Sequence, residues 1–147
     1  AEPKYSESSL RKGLANSYAL SADVNAAVEP NFKGVHEMSN ACRAGFGIAI
    51  TKYTGHGGKG GASDANAEFV GHVRKIFNQA GVPWQAAVLG KVDEGGGGTV
   101  AKYLAKYGMN VLDCGPGLLS MHSPFELVSV ADLYASYLGY KAFLVAG

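Results

Sequence analysis

Gly45-Phe46-Gly47-Ile48-Ala49-Ile50-Thr51-Lys52-Tyr53 is rich in β-branched and aromatic residues, the composition of a strand, and the segments that succeed it along the chain decide the fold class. Past a run of glycines, Phe69, Val70, Val73, Ile76 and Phe77 recur at helical spacing until Gly81 stops them. Val82 to Leu89 is then a second apolar strand. Working outward, Ser6 to Ser17 reads as a short Ser-capped helix with Leu10 and Leu14 four apart, and Tyr18 to Val24 as a strand. Asn25 to Asn31 reads as a loop that Pro30 keeps from becoming helical. On the other side, Thr99 to Gly108 reads as a helix with a Gly stop, Met109 to Cys114 as a strand and Ser129 to Val145 as a closing helix. Strands alternating with helices predict an α/β fold, a layered mixed sheet flanked by helices, with residues 1–147 as a single domain.

The composition narrows the function. Nearly half of the 147 residues are hydrophobic (47%) and 17% are charged, which is a folded chain able to bury a core. A net charge of +1 offers no electrostatic footprint for nucleic acid or an anionic membrane. No apolar run reaches the length of a membrane span and no signal peptide opens the chain, so the expected location is the cytoplasm. Cys42 and Cys114 lie far apart, without the spacing of a disulfide framework or a cysteine-rich zinc site, and read as two buried thiols.

Gly55-x-Gly57-x-x-Gly60 lies between a strand and a helix, as a dinucleotide loop would, with Ser63 and Asp64 as helix-capping residues. No acidic residue stands at the required distance downstream, and Lys59 is followed by Gly60 where a phosphate-binding loop needs Ser or Thr. Gly95-Gly96-Gly97-Gly98-Thr99 precedes a helix, where backbone N–H groups meet a carbonyl or an anion, or where a tight connection needs the space. Asp93 and Glu94 ahead of it read as favouring the helix dipole. Asp23 and His122 each close an apolar run, and a carboxylate and an imidazole from separate strands suit a hydrolytic metal. Taken singly, each has a plainer reading, as a loop cap and a core histidine. Zinc sites use three or four protein ligands, so two residues are only part of one.

Five stretches in order resemble the C-terminal part of the aspartyl aminopeptidase and aminopeptidase I family of zinc metallopeptidases, closer to its bacterial branch. They are Ser21 to Ala27 with Pro30-Asn31, Thr51 to Gly55 with Lys59, Ser63 to Phe69, Lys91 to Asp93 with Gly95 to Thr99, and Leu119 to Glu126. The resemblance implies a peptide substrate and two divalent ions, zinc or else cobalt or manganese, with Asp23 on one ion and His122 on the other. It sets Lys59, Gly97, Gly98, Thr99 and Met121 toward the substrate. The family's early His ligand, bridging Asp and Glu-Glu pair with its general base match nothing here, so no catalytic residue is expected in this chain. The expectation is therefore an incomplete metallo-aminopeptidase, inactive alone, completed by the missing N-terminal part, supplied by the same enzyme or as a separate chain, within a homo-oligomer. The competing expectations are a non-catalytic binding or assembly module of the same fold and a nucleotide-binding domain.

Overall fold

A computed structural model describes residues 5–56, 60–91 and 93–146. The helices fall where apolar spacing puts them. Helix α1 spans Glu7–Ala15, with Ser6 Oγ accepting the Ser9 N–H at 3.1 Å as its cap. Helix α2 spans Ala67–Gln79 and turns Phe69, Val73, Ile76 and Phe77 inward, the stripe expected of an amphipathic helix. Its cap is Asn66, whose side chain accepts the Phe69 N–H at 2.7 Å, rather than the expected Ser63-Asp64. The last helix of the chain, Val130–Ala146, buries only small or polar residues, Asp132, Ala135, Ser136 and Gly139, and leaves Leu133, Tyr134, Tyr137 and Leu144 exposed. Gly139 packs closely on α2, since a Cβ there would stand 3.2 Å from the Phe77 ring.

The strands are shorter and more numerous than expected. Strand β1 is Tyr18–Ser21, and β2, Asn25–Ala26, occupies what reads as loop. The long strand read from Gly45 divides: β3 is Ile48–Thr51 and β4 is Tyr53–His56, while Gly45 and Gly47 take positive φ in a bend. The glycines after it do not form one long loop, because β5, Gly60–Asp64, pairs back antiparallel on β4. A strand therefore stands between these glycines and α2, and the strand-loop-helix order that a dinucleotide loop needs is absent. Strand β6 is Trp84–Ala86 and β7 is Asn110–Gly115. Helix α3 is only Ala101–Ala105, half the expected length, and too short to present an anion-binding N-terminus. A hairpin of β8, Gly117–Leu119, and β9, Leu127–Val128, precedes the final helix, α4.

The principal sheet runs β1-β7-β3-β6 and is mixed: β1 lies parallel to β7, β3 antiparallel to β7, and β6 parallel to β3. Its two faces differ. Leu20, Ile48, Ile50, Leu112 and Cys114 point to one side and join the core with α2 and α4. Alternation sends Ala19, Ser21, Ala49, Thr51, Asp113 and Gly115 to the other side. A second sheet, β2-β8-β9, is linked to the first by the bridges Ala27↔Cys42 and Ala41↔Val88.

Asp132 ties α4 to the bend before β3. The residue is 1% exposed, and its two carboxylate oxygens accept the backbone N–H groups of Gly45 at 2.6 Å and Gly47 at 2.7 Å. Gly47 has φ +86°, and a Cβ on it would meet the Pro83 carbonyl oxygen at 2.2 Å, so only glycine fits. Replacing Asp132 with Ala leaves the buried Gly47 N–H and the part-buried Gly45 N–H without their acceptor. The expected loss is about 3 kcal/mol, read as a lower urea midpoint with unchanged slope.

Both cysteines are free and buried, as expected. Burial pushes each thiol up to about 12, with the charge of Asp132 adding to the effect on Cys42 and that of Asp113 on Cys114. A disulfide-exchange reagent at pH 8 is expected to titrate neither thiol in the folded protein and both after denaturation.

Candidate functional site

Strand β7 carries an aspartate in the middle of an apolar sequence, Val111-Leu112-Asp113-Cys114, and the pleat sends that side chain to the polar face. Its neighbours across the sheet are Ser21 on β1 and Thr51 on β3. Thr51 Oγ1 in turn accepts the Asn25 side-chain N–H at 2.6 Å. Ser21, Asn25, Thr51 and Asp113 are all buried, so a polar row crosses the sheet without reaching bulk solvent. Ser21 Oγ, Asn25 Oδ1 and Asp113 Oδ1 have no hydrogen-bond partner, which marks the row as unfinished. Burial pushes the Asp113 carboxyl above the usual carboxylate range; the Ser21 and Thr99 hydroxyls beside it draw it partly back, and the charge of Asp23 raises it again. The Ser21 hydroxyl thus lies near enough to act on this carboxyl without closing a well-formed hydrogen bond.

Asp23 stands at one end of this row, in the turn between β1 and β2. The turn is tight, with the Asp23 N–H bonded to the Ser21 carbonyl at 2.8 Å. Its carboxylate is half-buried and accepts the Val24 N–H on Oδ1 at 2.8 Å. The backbone around it leaves no slack, since a Cβ on Gly115 would meet the Asp23 carbonyl oxygen at 2.0 Å. Tyr140, from α4, approaches the same point and donates to the Cys114 carbonyl at 2.8 Å.

Thr99 comes to the row from the glycine loop. Its Oγ1 accepts the Ala101 N–H at 3.2 Å, and the loop is stitched to β4 by the Gly55 N–H to Gly97 carbonyl bond at 2.9 Å. A Cβ on Gly97 would meet Leu89 Cδ2 at 2.1 Å, and one on Gly95 would meet the Lys91 nitrogen at 2.8 Å. The close approach these glycines permit is thus to their own chain. Glu94 pairs with Lys91 at 3.1 Å on the surface.

His122 lies in the loop that joins β8 to β9, with Met121 half-buried beside it. It is exposed, has φ +67°, and its N–H donates to Glu126 Oε1 at 2.6 Å. A positive φ on a residue with a Cβ costs about 1 kcal/mol, and the charged acceptor holds the turn against that cost. The register Asn25↔Gly117 sets Asp23 level with Gly115, ahead of β8, and His122 beyond its far end. Among the described residues no hydrogen bond or ion pair joins Asp23 to His122, and neither side chain is sealed in the apolar core. Nor is there, among the described residues, any group of three or more His, Cys, Asp and Glu side chains able to hold a metal ion. The donor types suit zinc, and their number falls short of a complete site. Lys59 lies outside the described residues.

The sequence profile of the aminopeptidase I zinc metalloprotease family, M18, matches residues 2–144. The chain belongs to the M18 family. A relative in Borrelia garinii subsp. bavariensis, named Probable M18 family aminopeptidase 1, is 55% identical over 140 residues, covering 95% of this chain and 31% of its own length. The crystal structure of the M18 aminopeptidase from Thermotoga maritima superimposes with a TM-score of 0.90 at 52% identity, covering 96% of this chain and 31% of that one. Aminopeptidase I from Clostridium acetobutylicum gives 0.86 at 53% identity, covering 92% and 30%. This M18 chain therefore spans just under a third of the length of these relatives, and corresponds to a C-terminal portion of the family. Among its described residues no helix is long and apolar enough to cross a membrane.

Asp113 is the residue that motif reading overlooks, although a signal is present: a lone carboxylate inside a run that is otherwise buried strand. Because burial raises its pKa in the folded state, the unfolded chain ionises first as pH rises. Asp113 therefore detracts from stability above its folded pKa, and this cost fades as pH falls below the unfolded carboxylate value. Asp113→Asn is expected to raise the urea midpoint of the metal-free chain at pH 7 and to lose that advantage near pH 3.

Proposed function

We propose that this chain is one part of a dinuclear metallo-aminopeptidase that removes the N-terminal residue from peptides, and that it is inactive alone. The observation that carries the reading is Asp23, half-buried at the end of an unfinished polar row and backed by Ser21, Asp113 and Thr99. Within this reading, residues 1–147 form one α/β domain of a larger catalytic domain. Asp23 and His122 are ligands to different ions, two zinc ions in the complete site, with cobalt or manganese as substitutes. When bound, such a pair supplies Lewis-acid polarisation of the scissile carbonyl and acidifies a water.

The chain's own residues hold and present. The Gly115 approach and the Ser21 turn fix the backbone of Asp23, and the Val24 N–H holds one of its carboxylate oxygens. Glu126 holds the loop that offers the His122 imidazole. Thr99 stands beside Asp113 of the polar row, and in this reading Gly97, Gly98 and Thr99 meet the peptide backbone, with Met121 next to His122 and Lys59 as a partner for an acidic side chain. The bridging Asp and the general-base Glu come from the polypeptide this chain does not span.

The parent works in the cytoplasm as a homo-oligomer in this reading. The exposed Leu133, Tyr134, Tyr137 and Leu144 of α4 support a covered surface, and a yeast structure of the same fold, 22% identical, is described as a dodecamer. The second reading is a non-catalytic binding or assembly module of the same fold, which the absence of a three-ligand cluster among the described residues fits equally well.

Asp23→Ala or His122→Ala in the full-length parent enzyme is expected to abolish peptidase activity, a loss of about a thousandfold or more in kcat/KM, while the unfolding midpoint stays near wild type. Calorimetric titration of this chain alone with zinc should show only weak binding. Full activity of the His122→Ala enzyme would favour the assembly module instead.

A further inference from the structure

The polar row on the sheet is also a set of hard oxygen donors. Asp113 on β7 has Ser21 of β1 and Thr51 of β3 as its direct partners, on strands that neighbour it at about 4.8 Å. Asn25 joins them from β2 through its bond to Thr51 Oγ1 at 2.6 Å. None of the four residues is more than 5% exposed. The three atoms among them that have no hydrogen-bond partner, Ser21 Oγ, Asn25 Oδ1 and Asp113 Oδ1, are all oxygens. An amide oxygen and a carboxylate oxygen can only accept, so these groups do not satisfy one another.

Accepting oxygens held away from water call for a hydrogen-bond donor or a cation, and charge decides between the two. Buried charges in proteins are paired or hold metal ions. Asp113 takes part in no ion pair among the described residues, where the pairs are Arg11 with Glu7, Lys52 with Asp64 and Lys91 with Glu94. The groups beside its carboxyl are the Ser21 and Thr99 hydroxyls, and Asp23 adds a second negative charge to the neighbourhood. A water molecule would satisfy the oxygens and leave that charge unbalanced. Calcium takes about six to eight oxygens and magnesium a near-ideal octahedron, more than this row offers. A transition metal would want imidazole or thiolate, and none of the orphaned atoms is either. One carboxylate with two neutral oxygens balances a single positive charge.

We infer that Ser21, Asn25 and Asp113 form a site for a monovalent cation, sodium or potassium, with the Thr51 hydroxyl beside them. The Asp113 carboxylate supplies the countercharge, and Ser21 Oγ and Asn25 Oδ1 are the neutral ligands. The ion joins β1, β2 and β7, and β1 and β2 are the two strands that flank the turn at Asp23. No ligand comes from Asp23 or His122, so the inference does not rest on the peptidase reading.

The test is urea unfolding of this chain in chloride salts at fixed ionic strength, with sodium or potassium exchanged against tetramethylammonium, which is too bulky for such a site. Above the dissociation constant, each tenfold rise in the small cation is expected to multiply the folding equilibrium constant by about ten. The salt that acts at lower concentration names the resident ion. Asp113→Asn keeps the shape, removes the charge and should abolish the dependence, while Ser21→Ala should shift it to higher concentration. Glu94→Gln, at a surface carboxylate, should leave it unchanged. Thallium(I), a potassium mimic followed by its own nuclear resonance in the unsubstituted chain, should give a bound signal that potassium or sodium displaces, and this measurement requires no variant to fold. Equal midpoints in the three salts overturn the inference and make water the occupant. A dependence that survives Asp113→Asn overturns it as well, and so does thallium with no displaceable bound signal. Peptidase activity of the parent enzyme enters none of these measurements, so the two readings fail separately.

Discussion

Strand β7 has to satisfy two environments at once, and the molecule is arranged around that demand. Its even-numbered members, Leu112 and Cys114, belong to the apolar layer beneath α2 and α4. Its odd-numbered members, Asp113 and Gly115, belong to a layer of small and polar groups. A shift of one residue in register would bury a carboxylate under Phe77 and expose Leu112, so the pairing with β1 and β3 is strongly specified. Ser21 and Thr51 stand level with Asp113 on either side because that register is held. The turn at Asp23 inherits its position from the same source, since Gly115 admits the Asp23 carbonyl only at this level.

The polar layer explains why the site is assembled from backbone approaches as much as from side chains. Gly97 lies on Leu89, Gly95 on the Lys91 backbone, Gly115 on Asp23 and Gly117 on Cys42 Sγ. Each contact lets a loop lie close to the sheet, and together they carry the strand ends and the glycine loop to the same row. Polar atoms left without partners result from this closeness. Ser21, Asn25 and Asp113 are shielded by loops and yet unmatched by them. Such a row costs stability unless further groups arrive, and functional sites are where proteins accept this cost.

What can be read from the sequence tracks how far each signal is local. Helix α2 is legible because five apolar residues keep one period over three turns, and α4 because nothing in it interrupts a helix. The mixed sheet is legible from β-branched runs, though their ends are not: Gly45 and Gly47 look like strand in composition and are a bend in fact, held by Asp132 far away in sequence. The β4–β5 hairpin reads as loop because its glycines carry no side-chain pattern, and the β8–β9 hairpin leaves no trace because three and two residues are too few to show a period. Asp23 and His122 are visible as residue types, whereas Asp113 shows in the sequence only as a lone carboxylate in an apolar run, and the burial of its strand gives that signal its meaning. Among the described residues of a chain that spans 31% of its relatives' length, no group of three metal-capable side chains comes together.

The clasp between Asp132 and the bend before β3 has a consequence for biosynthesis. The carboxylate comes 87 and 85 residues after its two amide partners. At a translation rate of roughly 5–20 residues per second, the ribosome needs about 4–17 seconds to deliver Asp132 after the bend has been made. Throughout that interval Ile48 and Ile50 are on a nascent chain without the helix that will cover them. A chaperone that shields short apolar stretches during elongation would therefore find Ile48 and Ile50 available before α4 has been made.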